Sequence, residues 1–159
     1  HLKANSLQIV RAGLIRRADT DEELSYRLFI EEIPEPPTAE FKGAQLALKI
    51  SLPVFIASEK NAKPNLEFHS MLQSDGNIKM KIVNTGRSHT HIQALDLFSD
   101  EKNEQSFARL EKSLYVLPGQ ERNVVLKIKN HDFYSAEKFF IRATTRNGQI
   151  VSYASAVPP

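Results

Sequence analysis

The stretch AQLALKISLPVFIAS, residues 44–58, alternates with a period of two almost without fault. Leu46, Leu48, Ile50, Leu52, Val54 and Ile56 occupy the even positions, and Ala47, Lys49 and Ser51 fall between them. Successive side chains of an extended chain point to opposite faces, so the pattern predicts a β-strand over 44–57 with one strongly apolar face. Such a face either packs into the chain's own core or is offered to another chain.

The remaining segments also read as strands and turns. LQIVRAGLI (7–15) and SYRLFIEEI (25–33) are β-prone runs. The second is closed by PEPPTAEFKG, a proline-rich loop that neither a helix nor a central strand accommodates. SEKNAKP breaks the pattern and predicts a linker over 59–64. Beyond it, NLEFHSML and IKMKIVN flank Asp75-Gly76, a signal for a tight two-residue hairpin. Ile78, Met80 and Ile82 alternate with lysines, which gives one buried and one wet face. HIQALDLF (91–98) is a further strand, and 99–113 reads as a charged loop with at most one helical turn. Two strands surround Pro118-Gly119, and 138–157 is a hairpin across Asn147-Gly148.

Short strands at regular spacing with turn signals between them argue an all-β sandwich. Residues 65–159 hold enough strands to close one. Residues 1–58 hold only three, enough for a sheet but not for two packed sheets, so the first domain reads as incomplete. The expected architecture is therefore two β-sandwiches, the first of them incomplete in this chain.

Composition narrows the function classes. A net charge of +2 with interspersed signs gives no basic stripe for nucleic acid. No apolar run approaches the roughly 20 residues needed to cross a bilayer. The absence of cysteine removes disulfides and thiolate metal sites. His89 and His91 share one strand face and are the best metal candidates. The other ligands would have to come from carboxylates or from the distant His69 and His131, and no spacing supports that, so the expected metal set is none. No nucleophile elbow or phosphate-binding glycine loop occurs. The carboxylate runs 19–24 and 31–35 read as solvated charges beside strands. The expectation is a protein that is not an enzyme and uses no cofactor.

Taken in order, QIVRAGL, DEELSYRLFIEEIP and LALKISLPVFIAS resemble the later part of the first domain of periplasmic pilus-assembly chaperones, the PapD-like family. There an acid-rich turn leads into a strand ending in a Glu-Ile-Pro-like tripeptide, here Glu32-Ile33-Pro34, and an alternating strand closes in an apolar-Phe pair, here Val54-Phe55. NIKMKIVNTGRSHTHI resembles the start of the family's second domain, with Asn84-Thr85-Gly86 at its strand end, and LYVLPGQ suits that domain too. The resemblance implies two immunoglobulin-like β-sandwiches, with about half of the first lying upstream of His1. It also implies a periplasmic location and the capping of incomplete pilin subunits by strand donation. Capped subunits would be delivered to an outer-membrane usher, without nucleotide or membrane insertion.

On this resemblance 44–57 is the donor strand, and Leu46, Leu48, Ile50 and Leu52 fill the subunit's groove. Two departures stand out. Pro53 occupies the position of a lysine that anchors the subunit's carboxylate, and Ala57-Ser58 replaces an Arg-Pro pair that ties the domains together. The anchor then falls to Arg11, Arg16, Arg17 or Lys49. Arg11 is the first choice, as a residue of a strand beside the donor, because a guanidinium forks well onto a carboxylate. Glu23 is left without its family partner. An exposed apolar edge also predicts a self-dimer of the free protein. The alternative from another class is a structural or adhesive tandem module of a surface fibre, in which 44–57 is buried and paired on both edges.

Overall fold

The computed structural model describes residues 5–15, 19–34, 36, 43–58, 60–129 and 138–155. Among them there is no helix, and the chain is all-β, as its alternation predicts. β1 (Leu24–Glu31) and β2 (Lys49–Ile56) form an antiparallel two-stranded sheet running from Leu24 opposite Ile56 to Glu31 opposite Lys49.

Eight further strands follow: β3 (Leu66–Leu72), β4 (Ile78–Asn84), β5 (Thr90–Phe98), β6 (Ala108–Leu110), β7 (Leu114–Val116), β8 (Glu121–Leu126), β9 (Lys138–Thr145) and β10 (Gly148–Ser155). They form a three-stranded sheet in the order β3-β4-β8 and a five-stranded sheet in the order β10-β9-β5-β6, with β7 also on β5. β6 and β7 share one edge of β5: β7 lies opposite Thr90–Ile92 and β6 opposite Leu95–Leu97. The chain leaves this sheet at Pro118-Gly119, adds β8 beside β4, and returns as the β9–β10 hairpin. This A-B-E against G-F-C-C′ arrangement is that of an immunoglobulin-like sandwich.

One core joins the two sheets. Met80 and Ile82 of β4 and Leu126 of β8 are fully buried against Leu95 and Leu97 of β5 and Ile141 of β9. The alternation of β5 changes phase within the strand, since Ile92 and Leu95 both point inward. A register shift against β9 between Ile92 and Ala94 accommodates this, the extra residue of a β-bulge re-aiming the side chains after it.

Three expectations need correction. Residues 7–15 enter no strand; Leu7, Ile9 and Val10 are exposed. A β-prone run becomes a strand only against a neighbour that pairs with it, and none of the described residues does. Arg11 accordingly sits in irregular chain rather than in a strand beside β2. The Asp75-Gly76 hairpin is not a two-residue turn. The Gln73 and Asn77 backbones close it, and Gly76, at φ 80°, supplies the left-handed residue at the end of the longer loop 74–76. Finally, 99–113 is not loop throughout, because Ala108–Leu110 pairs with β5 and Ala108 is fully buried.

Candidate functional site

In an antiparallel pair, residues directly opposite one another share a face. The even residues of β1 and β2 therefore build one surface from Leu24, Tyr26, Leu28, Ile30, Ile50, Leu52, Val54 and Ile56, all apolar. The odd residues build the other from Ser25, Arg27, Phe29, Glu31, Lys49, Ser51, Pro53 and Phe55. On this second face Arg27 donates to Ser51 Oγ (3.1 Å), and Lys49 pairs with Glu31 and lies 5.1 Å from the Phe29 ring centre.

The apolar face has no second sheet over it among the described residues. Leu46 is 86% exposed, Leu48 67%, Ile50 47% and Leu52 44%. Toward the other end, Ala12–Ile15 lie over Tyr26, Val54 and Ile56 and enclose with them an open apolar cavity of about 730 Å³. The four predicted donor residues thus lie on or directly before β2, on the exposed end of its apolar face.

The direction of β2's hydrogen bonds follows from one contact. The Glu32 N–H donates to the Leu48 carbonyl (2.8 Å), and these two residues stand opposite in the register. Hydrogen-bonded and non-bonded pairs alternate along an antiparallel ladder. Ile50, Leu52, Val54 and Ile56 therefore turn their backbone groups to β1, while Lys49, Ser51, Pro53 and Phe55 turn theirs to the outer edge. Pro53 has no N–H to present there. Its place on β2 is tolerated because that edge carries no neighbour among the described residues, and it interrupts the run of outward donors between Ser51 and Phe55.

The anchor candidates scatter. Arg11 is exposed and makes no ion pair among the described residues; Lys49 is already engaged by Glu31; Arg16 and Arg17 lie outside the described residues.

The junction between the β1–β2 sheet and the sandwich is specific. Glu23, its carboxyl nearly buried, accepts at Oε1 from the His89 backbone N–H (3.1 Å) and lies 2.6 Å from His89 Nδ1. The Glu23 N–H donates to the Arg87 carbonyl (2.9 Å). Phe55 stacks on His89 with ring centres 3.6 Å apart, and Tyr115 stacks on His91 at 4.2 Å. The histidine pair is thus built into ring contacts, and no group of three or more metal-ligating side chains occurs among the described residues. Glu23 therefore finds its partner in His89. That pairing spans sixty-six positions of sequence, and no local signal announced it.

Behind this junction stands Asn84, fully buried. Its amide donates to the Ser88 and Val116 carbonyls (2.8 and 3.0 Å), and its Oδ1 accepts from the Asn65 and Gly86 N–H groups (3.1 and 3.0 Å). Gly86 presses on the linker: a Cβ there would meet the Asn65 nitrogen at 2.4 Å and the Lys63 carbonyl at 2.5 Å. The Asn84-Thr85-Gly86 sequence thereby fixes where the linker leaves the sandwich.

No family model matches the chain, and no curated protein matches it in sequence. Among solved structures, the chain is similar to the ligand binding region of serine-glutamate repeat protein A of Enterococcus faecium. That alignment covers 60% of this chain and 99% of the other, with a TM-score of 0.44 and 11% identity. No described helix is long and apolar enough to cross a membrane.

Proposed function

We propose that the chain is a periplasmic chaperone of the pilus-assembly type, which caps an incomplete pilin-like subunit by adding residues 44–52 to it as a strand and then delivers it to an outer-membrane usher. The observation that carries this reading is the coincidence, on β2, of an outer edge with no neighbouring strand among the described residues and an exposed alternating apolar row. A subunit lacking a strand offers the complement of both: unpaired backbone groups and an open groove. Leu46 and Leu48, which are largely exposed, would each contribute roughly 1.5–3 kcal/mol on full burial; Ile50 and Leu52, already about half covered, would contribute less.

The rival reading, a structural or adhesive tandem module, calls for a β2 that is buried and paired on both edges. β2 is paired on one edge only among the described residues, which favours donation. The test is native mass spectrometry of the protein purified from cells that co-express its small secreted β-rich neighbours. A one-to-one complex lost with Leu48→Arg supports the proposal, because an arginine would enter an apolar groove. Capture at wild-type yield by Leu48→Arg would sink the donor assignment, and a free monomer or self-dimer beside unbound subunits would turn the balance to the rival.

A further inference from the structure

The five-stranded sheet ends at β10, which pairs with β9 on one side and with no strand on the other among the described residues. Sheet edges are commonly guarded by a charge, a proline or a bulge. GQIVSYAS (148–155) holds no charged residue and no proline, and its register runs unbroken from Gly148 opposite Thr145 to Ser155 opposite Lys138. Its last residue is engaged, since the Ser70 hydroxyl of β3 donates to the Ser155 carbonyl (2.6 Å). Val151 and Tyr153 share the outward face of the strand, and both are more than half exposed. The Tyr153 ring is held in place, edge-on to Phe140 with ring centres 5.2 Å apart and its hydroxyl donating to Glu101 Oε2 (3.2 Å). Arg142, directly opposite Val151, lies over the Phe98 and Phe140 rings.

We infer that β10 pairs antiparallel with the β10 of a second copy of this chain, about a two-fold axis through Ser152. The order of the residues selects that partner. Val151 and Tyr153 flank Ser152, so the axis sets each Val151 against the second copy's Tyr153, and an aromatic–β-branched cross-strand pair forms twice. On the other face Ile150 meets Ala154 and Ser152 meets its own copy. A two-fold contact brings an edge against itself, so a charged strand would set like charges together, and β10 carries none. The two five-stranded sheets then become one. This contact does not use β2 and stands apart from strand donation.

Pairing over one short edge is smaller than the roughly 1,600 Å² of a standard interface, so the dimer is weak and depends on concentration. Sedimentation equilibrium from about 1 μM to about 1 mM should show the mean mass rising from that of the monomer toward twice it. Val151→Lys and Tyr153→Glu, at exposed positions and with unchanged circular dichroism spectra, should each weaken association about ten-fold or more. Mixed together, the two variants should recover it, because the lysine of one copy then faces the glutamate of the other while the remaining Tyr153–Val151 pair stays intact. Leu48→Arg should leave the dimer in place. A monomer throughout the range, wild-type association by either folded variant, or a mixture no stronger than its components would overturn the proposal. So would a dimer abolished by Leu48→Arg, which would belong to β2.

Discussion

Asn84→Ala is the sharpest test of how the sandwich holds its linker end. The side chain is fully buried and makes four hydrogen bonds, two as donor to the Ser88 and Val116 carbonyls and two as acceptor from the Asn65 and Gly86 amides. A typical intramolecular hydrogen bond contributes about 1 kcal/mol net, and a buried group left unpaired costs about 1–3 kcal/mol. The Val116 carbonyl bond is buried, whereas the other three are only part-buried and water can replace some of them. The expected loss is therefore about 3 kcal/mol, a large share of the 5–15 kcal/mol typical of a domain. With a urea slope of about 1–3 kcal/mol per molar, the unfolding midpoint should fall by roughly 1–3 M. Asn103→Ala, in an exposed loop, should stay within about 0.5 kcal/mol. Equilibrium urea titration followed by circular dichroism reads both. A loss below about 1 kcal/mol for Asn84→Ala would refute the hub.

Gly86→Ala places a methyl group within 2.4–2.6 Å of the backbone of Lys63, Pro64 and Asn65, so the linker must shift. A destabilisation of about 1–3 kcal/mol is expected, and a thermal midpoint equal to wild type would contradict the close packing. Acid should act partly through Glu121, whose carboxyl is held below its ordinary value first by the hydrogen bond from Lys81 and then by that ammonium's charge. In the window below about pH 4.3 the unfolded chain binds the extra proton first. The stability Glu121 contributes is therefore present above that pH and lost as pH falls through the lower folded value. Lys81→Met should flatten the dependence of the urea midpoint on pH in this range, and an unchanged slope would count against the pair.

Elements with a regular period and clear turn residues were legible from the sequence: β2, β4, the strands around Pro118-Gly119, and the β9–β10 hairpin. Residues 7–15 misled because β-branched composition signals pairing and packing against a neighbour, and the sequence cannot show that no described strand pairs with them. The phase change at Gln93 was hidden for a related reason, since a bulge is fixed by the register of β9 rather than by β5 itself. The apolar row of the candidate site was readable as Leu46, Leu48, Ile50 and Leu52. Which backbone groups of β2 face outward was not, because that parity depends on the Glu32–Leu48 bond. The Glu23–His89 pair joins residues far apart in the chain, and only folding brings them together.

The central claim is that β2 lends its outer edge to another chain, and amide hydrogen exchange resolved along β2 tests it most directly. In the free protein the amides of Ile50, Leu52 and Val54, bonded to β1, should exchange slowly, and those of Lys49 and Ser51 quickly. In a complex with a captured subunit the Lys49 and Ser51 amides should become slow as well, while Pro53 interrupts the protected run. Equal protection of both sets in the free protein, or unchanged fast exchange at Lys49 and Ser51 in a stable complex, would contradict strand donation by β2.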